Sequence, residues 1–207
     1  RYNQSNKLDQ LIEAFLERNC VDLDHQDSEG WSALISVCYF YHNSHINVVV
    51  ALLLKNNVDA DLVKKNGWNA IFALCCRTHQ DLPNFPEAFK LLLKETVDVT
   101  AKTRLGWNPL IALTFHNHQH PDYLEMARLL IDRGNHANAT DSQGRNSILI
   151  MCEEYQGDQL LTILRELVKF GVDSSARDEK NRSALQILES SRPGQPLIEE
   201  YRSLFIE

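Results

Sequence analysis

The chain has 207 residues, of which 43% are hydrophobic and 24% are charged, as in an ordinary globular protein with one large domain or two small ones. Its 8 glycines and 6 prolines are too few for a collagen, a Pro-rich linker or a many-turned all-β fold. The formal net charge of −7 argues against bulk binding to nucleic acid, and no apolar run is long enough to insert into a membrane.

A glycine followed by a large side chain recurs along the chain. Gly30-Trp31, Gly67-Trp68 and Gly106-Trp107 lie 37 and 39 residues apart, and Gly144-Arg145 and Asn181-Arg182 follow after 38 and 37. This register predicts a single domain over 1–207 that is built from about six repeats. The predicted repeats are an N-terminal cap at 1–29, four full units at 30–66, 67–105, 106–143 and 144–180, and a C-terminal cap at 181–207.

Each repeat is predicted to contain two helices. In the N-terminal cap, a helix over 6–18 precedes a polar finger over 20–29. In the later repeats a short first helix begins after an N-cap residue, whose side chain accepts a hydrogen bond from a free helical N–H group. These N-cap residues are Ser32, Asn69, Asn108, Asn146 and Ser183.

The second helices are predicted over 48–55, 88–95, 124–133 and 160–170, and the C-terminal cap should close with helices over 184–189 and 196–206. Pro86 and Pro121 lie at or near the first helical position, and Asp158 is the expected N-cap of the fourth second helix. The expected left-handed residues at helix ends are Gly134, Gly171 and Asn57. About ten polar residues then form an extended, hairpin-like finger that leads to the next repeat.

The repeat resembles the ankyrin repeat. Gly106-Trp107-Asn108-Pro109-Leu110, followed by Leu129-Leu130 and Gly134, is similar to the family pattern G-x-T-P-L, then L-L and G. The resemblance covers essentially the whole chain. It implies an all-α fold, an ankyrin-repeat α-solenoid of stacked helix-loop-helix units with hairpin-like fingers.

Three features depart from the family pattern. The period is 37–39 residues rather than 33, and the extra residues enlarge the loop between the two helices. The His of T-P-L-H is absent, so the usual Thr–His hydrogen bonds cannot form. Lys64 and Thr103 stand where the fingers usually carry Asp, whereas Asp27, Asp141 and Asp178 keep it. The last two departures concern the geometry of the fingers.

The resemblance also implies a non-enzymatic scaffold that binds a protein or peptide partner in a concave groove. The residue after each finger glycine and the residues at the end of the first helix would line this groove. The expected partner-binding residues are Trp31, Tyr39, Phe40, Trp68, Arg77, Trp107, Phe115, His116, Arg145, Glu153 and Glu154. Trp, Tyr and Arg often carry interface energy, but the tryptophans could equally stack between repeats without touching a partner.

The charges around the tryptophans leave several partners open. A Trp face attracts Lys, Arg or methylated ammonium groups, and Asp27 and Glu29 would favour a basic anchor residue beside apolar ones. The alternative is a nucleotide or single-stranded RNA that stacks on the Trp column near Lys64 and Lys65. A third possibility is an architectural spacer or dimerisation domain. We expect a monomer or a part of a larger chain, and the start at Arg1 rather than Met favours a processed chain or an excised fragment.

Other residues with chemical potential receive structural interpretations. The five cysteines should be buried thiols of an intracellular protein, cytoplasmic or nuclear. His116, His118 and His120 could contact a metal, but exposed loop residues are the preferred interpretation, and no metal or cofactor is predicted. Cys76, beside Arg77 and near His79, is the one candidate for thiol catalysis. No nucleotide-binding or hydrolase motif accompanies it, so we expect no enzyme.

Overall fold

The computed structural model describes residues 22–77, 84–95, 97–192 and 199–205. These residues form helices joined by turns and loops, and they contain no β-strand beyond an isolated bridge between Arg177 and Ser183. The all-α repeat fold predicted from the sequence is therefore confirmed. The chain divides into two compact units, Arg1–Asp98 and Val99–Glu207.

The described part of unit 1 contains two helical hairpins. Helix α1 (Ala33–Phe40) and helix α2 (Ile46–Lys55) form the first, and helix α3 (Ala70–Cys75) and helix α4 (Phe85–Lys94) form the second. First helix packs on first helix and second on second, because α1 contacts α3 and α2 contacts α4. This stacking buries the apolar faces that one hairpin alone would expose to water.

Unit 2 repeats the same arrangement. Its helices are α5 (Pro109–Asn117), α6 (Tyr123–Asp132), α7 (Ser147–Glu154), α8 (Leu160–Lys169), α9 (Ala184–Ser191) and α10 (Glu199–Phe205). Helix α7 packs between α5 and α9, and α8 packs against α6 and α7. The core of unit 2 includes the fully buried side chains of Leu110, Leu149 and Leu164.

All five predicted N-caps are confirmed, and the Asn caps do more than start a helix. Ser32 and Ser183 accept from the N–H groups of Ile35 and Gln186. The Asn69, Asn108 and Asn146 Oδ1 atoms likewise accept from the N–H three residues ahead.

The Asn side chains also link consecutive segments through their amide groups. Nδ2 of Asn69 donates to the Asp98 carbonyl at 2.7 Å, and Nδ2 of Asn146 donates to the Asp173 carbonyl at 2.8 Å. Nδ2 of Asn108 donates to the His136 carbonyl at 2.9 Å. These bonds tie α3, α5 and α7 each to the finger that follows its own helical hairpin, although the family's Thr and His are absent.

The ends of the second helices mostly agree with the sequence pattern. Gly134, Gly171 and Asn57 have φ values of 99°, 88° and 57°, which confirms the predicted left-handed positions. Asp158 as an N-cap is wrong, because α8 begins one residue later and Gln159 is its N-cap. Pro121 precedes the N-cap of α6, whereas Pro86 lies inside the first turn of α4.

Some predictions fall on residues outside the described ranges. They are the N-terminal helix over 6–18, Cys20, His79 and the first part of the closing helix over 196–206. Cys38, Cys75, Cys76 and Cys152 are buried, as predicted. Among the described residues, no helix has the length and apolar character that crossing a bilayer requires.

Candidate functional site

The fingers use one recurrent turn, which positions the predicted contact residues. The Asp27 carboxylate accepts hydrogen bonds from the N–H groups of Glu29 (2.8 Å) and Trp31 (2.9 Å). The Trp31 hydrogen bond is the largest cause that lowers the pKa of Asp27. Asp141 and Asp178 form equivalent pairs of bonds, and Thr103 Oγ1 replaces the carboxylate by accepting from Leu105 and Trp107.

Lys64 cannot form this side-chain turn, because an ammonium group accepts no hydrogen bond. The backbone nevertheless keeps the finger geometry: Lys64 N–H donates to the Trp68 carbonyl at 2.8 Å, as Asp27 N–H does to Trp31 at 3.1 Å. The Lys64 side chain is therefore not used by its own turn. It extends to the preceding finger instead.

Gly30 allows the two fingers of unit 1 to approach closely. Its φ is 87°, and a Cβ at this position would lie 2.8 Å from Lys64 Cα and 3.1 Å from Lys65 N. The Lys65 N–H also donates to the Glu29 carbonyl at 3.3 Å. This close backbone contact brings the Lys64 side chain within reach of Trp31.

Four predicted contact residues of unit 1 meet in one cluster, which we call the aromatic patch: Trp31, Tyr39, Phe40 and Trp68. The Trp31 ring centroid lies 4.9 Å from Phe40 and 5.4 Å from Tyr39, and Tyr39 lies 5.4 Å from Trp68. These spacings are typical of favourable tilted aromatic pairs. Phe40 keeps 59% of its surface exposed, whereas Trp68 stacks on the fully buried Phe72 at 5.5 Å.

The Lys64 ammonium lies over the aromatic patch. Its Nζ is 3.3 Å from the Trp31 ring centroid and 5.2 Å from that of Trp68. This is a cation–π contact with the negative face of an indole. Burial is the largest cause that lowers the pKa of Lys64, and the charges of Asp27 and Glu29 oppose it. Within the described residues, Nζ makes no hydrogen bond or ion pair, so its N–H donors are unused.

The other charges beside the patch are engaged. Asp27 caps its turn, and Glu29 lies 4.0 Å from Lys65 in an ion pair whose two side chains are 69% exposed. Arg77 packs its guanidinium 5.2 Å from the Tyr39 ring centroid and donates to His42 Nε2 at 2.5 Å. Burial and the Arg77 charge lower the pKa of His42, as suits a neutral acceptor.

The predicted aromatic contact residues of unit 2 are fewer than those of the aromatic patch in unit 1, and they pack against the core. Trp107 lies 5.1 Å from Phe115 and 5.8 Å from His116, measured between ring centroids. Trp107 and Phe115 pack against buried Ile111, Ala139 and Ile150. Trp107 and its neighbours are thus only partly exposed.

The charged contact residues of unit 2 neutralise one another in a cluster that we call the ionic ladder: Asp141, Arg145, Glu153, Asp178 and Arg182. Nε and Nη2 of Arg145 donate to one oxygen of Asp141 at 2.9 and 2.8 Å, and its Nη1 donates to Glu153 at 2.5 Å. Arg182 Nε donates to Asp178 at 2.7 Å, and its Nη2 lies 3.6 Å from Glu153.

The ionic ladder is buried at its two finger carboxylates and at Arg145, whereas Glu153 and Arg182 are about 30% exposed. The side chains of Asp141 and Asp178 are 2% exposed and that of Arg145 is 10% exposed. Burial acts to lower the pKa of Arg145, but hydrogen bonds with Glu153 and Asp141 outweigh it and raise that pKa. Glu154, at 4.0 Å from Arg145, lies at the edge of the ladder. The spacing of four between each finger Asp and its Arg is the sequence signal that was missed.

The candidate catalytic thiol is in an unsuitable environment. Cys76 is 6% exposed, and burial raises its pKa, whereas an activated nucleophile needs a lowered one. His79 lies outside the described residues. Among the residues that the structure describes, no group of three or more His, Cys, Asp or Glu side chains is arranged to hold a metal ion.

The model of the ankyrin-repeat family, with three copies of the repeat, matches residues 2–103. The chain therefore belongs to the ankyrin-repeat proteins. Ankyrin repeats are generally protein–protein interaction modules and typically not enzymes. A comparison with curated proteins yields no match.

Proposed function

We propose that this chain is a non-enzymatic scaffold that binds a protein or peptide partner through the aromatic patch of unit 1. The observation that carries the proposal is the convergence of Trp31, Tyr39, Phe40 and Trp68 on one partly exposed surface. Large aromatic side chains dominate the energy of many protein interfaces, because each one buries a large apolar area at a small cost in side-chain entropy.

The exposure of Phe40 supports a binding role beyond internal packing. Phe40 closes one side of the patch against Trp31 and Tyr39, yet more than half of its surface is exposed to water. An apolar anchor of a partner placed against this ring would remove that surface from water, worth about 25 cal/mol per Å² before the costs of association. Trp68, which stacks on the core, would form the rigid base of the site.

The corresponding residues of unit 2 are weaker candidates for direct contact. Arg145, Glu153 and Arg182 already pair with one another and with buried carboxylates. A partner that used them would have to break these hydrogen bonds. We assign the ionic ladder a supporting role, in which it fixes the fingers of unit 2, and we retain Trp107, Phe115 and His116 as secondary contacts.

Affinity capture tests the proposal. Three forms of the protein would be immobilised and exposed to a cell lysate: wild type, a Trp31→Ala/Phe40→Ala variant and a matched Leu105→Ala control. The captured proteins would be identified by mass spectrometry. Leu105 is 62% exposed and lies on a finger of unit 2. We expect the same specific proteins with wild type and control, and their loss with the double variant. Equal recovery by all three, with folding verified by circular dichroism, would contradict the proposal.

A further inference from the structure

The Lys64 ammonium over the aromatic patch indicates which charge a partner should carry. We infer that the patch binds an acidic peptide segment, in which an Asp or Glu carboxylate pairs with the Lys64 ammonium while a neighbouring apolar or aromatic side chain packs on Phe40 and Trp31. This inference rests on the proposed function and specifies the chemistry of its partner. The expected charge of the partner is therefore the opposite of the basic anchor residue that Asp27 and Glu29 favoured in the sequence analysis.

The cation position of the patch is already filled by the protein itself. Lys64 Nζ lies 3.3 Å from the Trp31 centroid, which is where a basic anchor of a partner would have to sit. A second cation there would meet both the steric bulk and the charge of Lys64. A basic partner would therefore first have to displace this side chain, with loss of its cation–π contact.

The charges of Asp27 and Glu29 act on Lys64 and oppose the lowering of its pKa, but neither carboxylate forms an ion pair with it in the described part of the chain. Asp27 Oδ1 accepts from two backbone N–H groups of its own turn, and Glu29 pairs with Lys65. The Lys64 ammonium, in contrast, has unused N–H donors within the described residues and is already partly desolvated. A carboxylate is the natural acceptor for such donors, because charge-assisted hydrogen bonds are stronger than neutral ones.

The position of Lys64 explains why its charge is available. At the corresponding finger position, Asp141 pairs with Arg145 and Asp178 pairs with Arg182. Replacement of Asp by Lys64 in unit 1, together with Trp68 in place of Arg, removes that internal pair. It leaves a cation over two indoles that forms no ion pair with any of the described residues.

Selection from a random dodecapeptide library displayed on phage tests the inference. Wild type, Lys64→Gln and Lys180→Gln would be used as baits, since Lys180 is an exposed finger lysine of unit 2. We expect wild type and the Lys180 variant to enrich peptides with Asp or Glu within two residues of Phe, Tyr, Trp or Leu. A synthetic peptide from this pool should bind Lys64→Gln about tenfold more weakly, equivalent to 1.4 kcal/mol, and Lys64→Arg should retain most of the affinity.

The outcomes separate the inference from the proposed function. Enrichment of Lys- or Arg-rich peptides, or equal affinity of Lys64→Gln, would overturn the acidic partner while the patch remained a peptide site. Peptides whose binding is unchanged by Trp31→Ala and Phe40→Ala, or no enrichment at all, would overturn both. A fluorescein-labelled U12 oligonucleotide that binds more tightly than the peptides, with a steep salt dependence lost in Lys64→Gln, would replace the peptide with single-stranded RNA.

Discussion

The aromatic patch of unit 1 and the ionic ladder of unit 2 occupy corresponding positions of the repeat but differ in chemistry. Behind each finger glycine, unit 1 has Trp31 and Trp68, whereas unit 2 continues from Trp107 to Arg145. The ladder satisfies its charges internally, and the patch leaves Phe40 exposed and the Lys64 ammonium outside any ion pair among the described residues. If the proposed function holds, one repeat geometry serves stability in unit 2 and recognition in unit 1.

Removal of the buried arginine of the ionic ladder should cause the largest loss of stability. We expect Arg145→Ala to lower the free energy of unfolding by about 3–5 kcal/mol, because it leaves the Asp141 carboxylate buried without its partner. Urea denaturation measures this change. The control is Arg128→Ala, whose exposed pair with Asp132 should be worth less than about 1 kcal/mol. Equal losses for both variants would show that the ladder is not a structural element.

The Asn caps should behave alike in both units, since their geometry is shared. Asn69→Ala and Asn146→Ala should each cost about 2–4 kcal/mol, because each loses an N-cap and leaves a finger carbonyl without its donor. Asn→Ser at the same sites should recover the cap but not the bond to the finger, with an intermediate loss in urea denaturation. Full recovery of stability with Ser would contradict the stabilising role that we assign to the hydrogen bond from the Asn amide to the finger carbonyl.

Substitutions at two glycines distinguish the energetic cost of the close contact between fingers from the cost of a left-handed backbone conformation. Gly134 has φ 99°, and a Cβ added there would meet no atom within 4 Å, so Gly134→Ala should cost about 1–3 kcal/mol from the backbone alone. Gly30→Ala adds a clash with the Lys64 backbone and should cost more. It should also move Lys64 away from Trp31, which a change in Trp fluorescence would report. Identical unfolding free energies would contradict the close approach.

Acid should weaken the ladder through Asp178. Burial acts to raise its pKa, but hydrogen bonds and the charge of Arg182 outweigh burial and hold that pKa below the ordinary value of 3.8. The unfolded chain therefore binds a proton first as the pH falls, so the stability contributed above pH 3.8 is lost between that value and the lower folded pKa. Urea titrations across this pH range should show a smaller loss of unfolding free energy for Asp178→Asn than for wild type.

The sequence predicts the fold well because its signals are local. The five N-caps, the left-handed Gly134, Gly171 and Asn57, and the paired helices depend on residues close together in the chain. Asp158 fails as an N-cap by one residue, because Gln159 is the N-cap of α8, without a capping hydrogen bond from its side chain.

The candidate site is less predictable because it depends on contacts between fingers. The sequence identifies the Trp column, but the position of Lys64 over Trp31 follows from the close approach at Gly30, 34 residues earlier. Arg145 was expected to face a partner, and the structure shows it paired with Asp141, as Arg182 is with Asp178. That pairing was readable from the spacing of four, whereas the bridge through Glu153 required the packing of consecutive repeats.

The central claim, that the patch recognises a partner while the ladder stabilises the fold, is tested most directly by two matched substitutions. Lys64→Gln and Arg182→Gln each remove one cation from a corresponding region, and each variant would be measured for unfolding in urea and for affinity toward the selected acidic peptide. We expect Lys64→Gln to lose about tenfold in affinity and less than about 1 kcal/mol in stability. We expect Arg182→Gln to lose about 1–3 kcal/mol in stability and to keep its affinity. The reverse assignment, with affinity lost at Arg182 and stability lost at Lys64, would contradict the account.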